Sequence, residues 1–163
     1  MKSNMSPLFL VAAVSITLPL AGQGSAPTLA KSIAGYWQEG SPGTSDARPS
    51  CYRFFNDGNF SFELSQYDET KRILSLHGTY RIQDGVLLLV ITHRFELQGG
   101  SVVWNPQARN GWSIEGGKSV KVIQTNSQEE EISLEACPPI GKRPCIKIGG
   151  DKYSQLSVNP KAL

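Results

Sequence analysis

Two histidines and three cysteines are all that 163 residues offer as imidazole bases or thiol nucleophiles. The chain has no Gly-x-Ser-x-Gly elbow, no His-Glu-x-x-His segment and no Cys-x-x-Cys pair, which excludes the usual arrangements for serine hydrolysis, zinc hydrolysis and dithiol exchange. His77 precedes Gly78, and His93 sits in Thr92-His93-Arg94 at an expected strand end. Both read as strand histidines satisfied locally rather than as metal ligands. Glu129-Glu130-Glu131 holds three carboxylates, but consecutive residues of an extended chain point to opposite faces, so the run reads as a solvated turn and not as a calcium site. The pairs Gly99-Gly100, Gly116-Gly117 and Gly149-Gly150 lack a phosphate-loop lysine and a following helix. They read as turns. Catalysis, a metal and a cofactor are accordingly not expected.

A cationic cluster is missing too. The 16 Lys and Arg against 14 Asp and Glu are scattered along the chain, and without Lys2 the balance is 15 against 14. Neutralising a phosphate backbone needs a basic stripe, so nucleic acid is not an expected partner. Nor is there an uninterrupted helical apolar stripe beyond the first thirty residues. The one long apolar run, Pro7 to Leu20, follows Lys2 and gives way to the small residues Ala21-Gly22-Gln23-Gly24-Ser25-Ala26. That order is the pattern of a cleaved secretory signal peptide over 1–30, with the cut expected after Ala30 and Gly24 as the reserve. The run is shorter than the roughly 18 to 20 residues that span a bilayer, so no membrane span is expected in the mature chain. The first cysteine is Cys51, which excludes lipid attachment directly after the leader. Residues 31–163 are then expected to be one soluble periplasmic or secreted domain.

What the mature chain does have is a period of two. Phe60, Phe62 and Leu64 alternate with polar neighbours, as a half-buried strand requires. Asn56-Asp57-Gly58 predicts a hairpin before that strand. Gln83-Asp84-Gly85 predicts another between Ile73–Ile82 and Val86–Ile91, and Asn126-Ser127 separates two further alternating runs. Together with the opening strand at Ile33–Trp37, these signals predict an all-β fold, a single antiparallel up-and-down barrel of about eight strands, since closure removes the edges that would otherwise aggregate. Gly78, in mid-strand, is the expected bulge or bend that lets the barrel curl.

Gly35-Tyr36-Trp37, followed by Phe55-Asn56-Asp57-Gly58-Asn59-Phe60 and Gly78-Thr79-Tyr80, resembles the Gly-x-Trp opening and hairpin pattern of small bacterial lipocalin-like (calycin-type) domains. The resemblance implies that Trp37 packs across the closed end of a barrel and that Gly35 admits the chain there, both in structural roles. It also implies a binding module. Gly149-Gly150-Asp151-Lys152-Tyr153-Ser154 is similar, over those few residues, to loops of bacterial periplasmic lysozyme inhibitors.

An exported chain pairs the cysteines it can, so three cysteines predict one bond. Cys137 with Cys145 closes a ring of about nine residues stiffened by three prolines, and such a ring stabilises by roughly 2.5 kcal/mol on the chain-entropy argument. Bonding Cys51 to either later cysteine stays open. With the local bond, Cys51 is a buried thiol, and Lys142 and Arg143 are presented on a preorganised loop suited to a partner such as a hydrolase. The segment from Gln98 to Lys118 reads as a long connection carrying Trp104, Arg109 and Trp112, either a mouth loop over an apolar cavity or a cap on the core. The function expected is therefore an exported binding module for a small apolar molecule or envelope component. The alternative is an inhibitor of a foreign hydrolase acting through the Cys137 to Cys145 loop.

Overall fold

The computed structural model describes residues 33–41, 49–65, 69–108 and 110–162. The expected leader and Arg109 lie outside them. Alternation is realised as strands β1 (Gly35–Glu39), β2 (Cys51–Phe54), β3 (Asn59–Glu63), β4 (Ile73–Gln83), β5 (Val86–Gln98), β6 (Ser101–Trp104), β7 (Trp112–Glu115), β8 (Lys118–Ile123), β9 (Glu129–Ile140), β10 (Arg143–Ile148) and β11 (Asp151–Ser157). Eight of them, β1 to β5 and β9 to β11, pair antiparallel in a ring that closes where β11 meets β1, so the expected barrel is present. No helix among the described residues is long and apolar enough to cross a membrane.

The ring departs from a plain meander at β5. One edge of this 13-residue strand pairs with β4 along its length; the other takes β9 opposite Val86–Val90 and β8 opposite His93–Gln98. The two runs flanking Asn126-Ser127 are thus not a hairpin. They lie end to end along β5, and β8 carries the sheet past the barrel's rim.

Inward side chains from all eight strands make one core. Residues directly opposite in an antiparallel pair share a face, and the rows Trp37–Tyr52–Phe62 and Phe54–Phe60 face the interior with Leu87, Leu89, Leu134, Ile146, Ile148 and Tyr153. Tyr52 touches Phe62 at 4.3 Å, Phe54 at 5.2 Å and Tyr153 at 5.3 Å between ring centroids, and Phe54 meets Tyr80 at 4.8 Å. Trp37 is 4% exposed, and its indole N–H donates to the Ile33 carbonyl at 2.7 Å. A Cβ on Gly35 would stand 2.7 Å from the Ser157 carbonyl, so both residues of the Gly-x-Trp opening have structural positions.

Gly78 sits at a register break. His77 faces His93 while Gly78 faces Ile91, so Thr92 is an extra residue that bulges β5. The bulge lies on the strand opposite Gly78. What excludes a side chain at Gly78 is the backbone of β5, because a Cβ there would come within 1.9 Å of the Val90 carbonyl.

Cys137 and Cys145 are bonded, with their Cα atoms 5.2 Å apart. They are register partners within the β9–β10 hairpin, and only Gly141 and Lys142 form its turn. The expected proline-stiffened loop is thus a disulfide-stapled hairpin, with Pro138 and Pro139 inside β9. Cys51 is buried, accepting from the Tyr36 hydroxyl at 3.4 Å and donating to the Pro49 carbonyl at 3.3 Å.

Candidate functional site: a recess at the barrel mouth

Strand direction alternates around the ring, so β1 and β3 end, and β4 and β9 begin, at one end of the barrel. At that end lies a recess of about 370 Å³, within the range typical of small-molecule sites. Ile73 and Leu76 of β4 and Ile91 of β5 line it, and Arg94, Gln124 and Glu130 are among its polar groups. Beneath it lies the core cluster that includes Trp37, Tyr52, Phe54, Phe60 and Tyr153.

The Thr92 bulge decides what the mouth presents. Without the extra residue, strict alternation after Ile91 would turn His93, Phe95 and Leu97 inward. With it, Arg94 faces Leu76 and Glu96 faces Ile73, so charged side chains occupy the inner face of the extension. Arg94 Nε donates to Glu96 at 2.8 Å, which offsets the charge of each. Three more carboxylates share the inner face: Glu130 opposite Leu89, Glu39 opposite Tyr153 and Asp151 opposite Ile148. Burial, then the negative charges of Glu130 and Asp151, push the Tyr52 phenol up to about 12. Burial raises Tyr153 still further, with Tyr52, Glu39 and Asp151 adding to it. Both phenols therefore stay protonated beneath a rim that carries more acid than base.

Beyond this end projects the segment expected as an irregular connection. It is a two-stranded hairpin, β6 with β7, in which Trp104 faces Trp112 edge to face at 5.4 Å. An isolated two-stranded hairpin is marginal in water, and an aromatic cross-strand pair is the contact that holds one. Trp104 is 64% exposed and Trp112 44% exposed. The rings therefore neither plug the core nor close over the recess in this conformation. At the opposite end of the barrel, Lys142 and Arg143 are exposed at the tip of the β9–β10 hairpin. Structure brings neither of these groups into contact with the recess.

On the outer face, at the same bulge, the His77 and His93 rings stack 4.8 Å apart with Phe95 edge-on to both. Rather than lying at a strand end, His93 is well inside β5. Ser75 Oγ lies 2.9 Å from His77 Nε2, and Thr92 Oγ1 lies 3.1 Å from His93 Nδ1. Among the described residues no group of three His, Cys, Asp or Glu side chains is placed to hold a metal ion. Burial holds both imidazoles below the usual histidine range; the charge of His93 adds to this at His77, Lys121 adds to it at both, and Glu63 opposes it at His77. An imidazole depressed in the fold leaves the unfolded chain binding more protons, so stability should fall as pH drops through the ordinary histidine range. Urea midpoints measured between about pH 7.5 and pH 5.5 should decline for the wild type and flatten for His77→Gln with His93→Gln. Equal slopes would show that the pair is not linked to folding.

The triple glutamate likewise differs from the expected turn. It opens β9, where Glu129 pairs with Arg81 at 2.8 Å on the outer face while Glu130 turns into the mouth. The sequence does not mark Arg94 or Gln124 as site residues, and Glu130, expected in a solvated turn, lies at the mouth. The signal that could have found the first is the apolar alternation of β5 failing after Ile91. No protein-family model, no curated protein and no solved structure matches this chain.

Proposed function

We propose that the protein is an exported, lipocalin-like binding module that holds a small, largely apolar molecule in the recess at the barrel mouth. The observation that carries this reading is the recess itself, a concave site at one end of the barrel with an apolar wall of Ile73, Leu76 and Ile91 facing a polar rim. A ligand there buries its apolar part against β4 and β5 and leaves its polar part at the rim. Placing export before binding rests on the order of cation, apolar run and small residues in 1–30.

Titration with N-phenyl-1-naphthylamine, a neutral probe that brightens in apolar surroundings, tests the reading. Saturable binding is expected for the wild type, with affinity falling about tenfold for Ile73→Asn with Leu76→Gln, the scale of losing a few methylene contacts. Lys142→Ala with Arg143→Ala should leave it unchanged. Absence of saturable binding, or loss only in the second variant, overturns the proposal.

A second reading rests on the disulfide-stapled hairpin that displays Lys142 and Arg143 at the other end, the preorganised form an inhibitor of a foreign hydrolase would use. Capture of a lysozyme or protease that depends on those two residues, and not on the recess, would support it.

A further inference from the structure

The β6–β7 hairpin is a continuation of the β5–β8 hairpin. Gln98 faces Lys118 on one side of the break and Ser101 faces Glu115 on the other. Two residues on each strand lie between, and the register is unchanged across them. All four are glycine: Gly99 and Gly100 face Gly116 and Gly117. Gly99, Gly100 and Gly116 have φ of 69°, 71° and 74°, a left-handed conformation that interrupts the ladder and that other residues adopt only at a cost. A break of this composition in an otherwise in-register ribbon is a joint, held in this conformation by the Arg72 guanidinium, which donates to the Leu97 and Gly99 carbonyls at 3.2 and 2.7 Å.

Register parity runs through the break: counted from Gln98 opposite Lys118 to Ser101 opposite Glu115, Trp104, Trp112 and Val102 fall in the same row as Arg94 and Glu96. The joint itself leaves that alternation, since a Cβ on Gly100 would run into the Glu115 carbonyl at 2.7 Å and the Gly117 amide at 2.8 Å as well as the Ile114 side chain. The reach matches as well. Gly100 to Trp104 spans about 13 Å of strand and Gly99 back to Arg94 about 17 Å, so an arm folded at the glycines lays its rings on the rim of the recess.

The chemistry of the two surfaces is complementary to one ligand class. Glu130 lines the recess, and Glu39 and Asp151 share the inner face of the mouth outside that lining, in addition to the mutually paired Arg94 and Glu96, while the cations Arg72 and Lys118 stand at the glycine joint. The arm offers two exposed indoles, whose faces attract cations. Resting on the mouth-binding reading above, we propose that the four-glycine hinge closes Trp104 and Trp112 over the recess onto an amphiphilic organic cation, whose apolar part lies on Ile73 and Leu76 and whose ammonium head lies between the indoles and the mouth carboxylates.

The test displaces N-phenyl-1-naphthylamine with dodecyltrimethylammonium and with dodecyl sulfate, equal chains of opposite charge, both below micelle formation, and follows the protein by fluorine NMR after 5-fluorotryptophan incorporation. The cation should bind about tenfold tighter than the anion, the scale of one desolvated cation–π contact together with the acidic rim. Glu130→Gln with Asp151→Asn should remove that preference, and Trp104→Ala with Trp112→Ala should weaken the cation about tenfold while leaving the neutral probe bound. Binding should shift the Trp104 and Trp112 resonances and leave that of buried Trp37 in place. Gly99→Thr with Gly116→Thr, which disfavour the left-handed conformation of the joint at two positions outside the eight-strand ring, should keep the barrel intact and abolish those shifts. If the neutral probe binds but the anion equals the cation, or the arm resonances stay still, the cation clamp is wrong and the recess stands. If neither the probe nor the cation binds, both are wrong.

Discussion

Gly78→Ala should cost about 3 kcal/mol or more, the upper end for overpacking, and should do so without creating a cavity or burying a charge. A methyl at that position would stand 1.9 Å from the Val90 carbonyl and 2.8 Å from its carbon, and the atoms in the way are backbone, not the end of a side chain that could swing aside. Relief requires β4 and β5 to separate at the register break in their ladder. The two strands meet here at the Thr92 bulge, so the damage should reach the mouth: loss of the bulge would return Arg94 and Glu96 to the outer face and leave the recess without its polar side. Urea unfolding of the variant should show a midpoint well below that of the wild type, and any folded fraction should bind the neutral probe poorly. A midpoint within error of the wild type would mean that the close approach at Gly78 is absent in solution.

The same bulge marks the limit of what could be read from sequence. Asn56-Asp57-Gly58 and Asp84-Gly85 announced their hairpins because a tight turn is a local matter, decided by which residues accept its dihedral angles. Asp84 at φ 52° followed by Gly85 at 78° is the pair such a turn requires. The barrel followed from period-two alternation and the need to cover edges, and the Cys137–Cys145 bond from the short ring between them. Non-local choices were not legible. Nothing in Ser119–Gln124 or Glu131–Ala136 says that both runs take the same edge of β5 instead of pairing with each other. A single extra residue, Thr92, inverts the facing of everything after Ile91, and no local composition announces it. For the same reason Arg94 and Glu130 could not be placed in a common mouth. By sequence alone the Gln98 to Lys118 segment is a long connection, because paired glycines interrupt the alternation. The register on either side shows a ribbon with a joint in it.

The three tryptophans should separate into two kinds when each is replaced. Trp37→Ala is expected to lower stability by roughly 3 to 5 kcal/mol, the cost of emptying a buried aromatic site. Trp37 lies between Tyr52 and Gln155 in the β2–β1–β11 ladder and belongs to the cluster that unites the barrel's inward faces, so the void cannot be filled by one neighbour relaxing. Trp37→Phe isolates a second contribution. Phenylalanine keeps most of the apolar volume but leaves the Ile33 carbonyl without its 2.7 Å donor, at a residue only 1% exposed, and should cost about 1 to 3 kcal/mol. Trp104→Ala and Trp112→Ala, by contrast, should change the global unfolding free energy by no more than about 0.5 kcal/mol, because their rings pack on each other beyond the glycine joint and contribute nothing to the core. Thermal and urea denaturation of the four variants, followed by circular dichroism so that the loss of indoles does not alter the signal, reads all of these at once. Should Trp37→Ala melt with the wild type, the first strand is not sealed into the barrel as the structure has it. Should the arm variants fall with Trp37→Ala, the β6–β7 hairpin is part of the folding unit and cannot swing as a hinged arm.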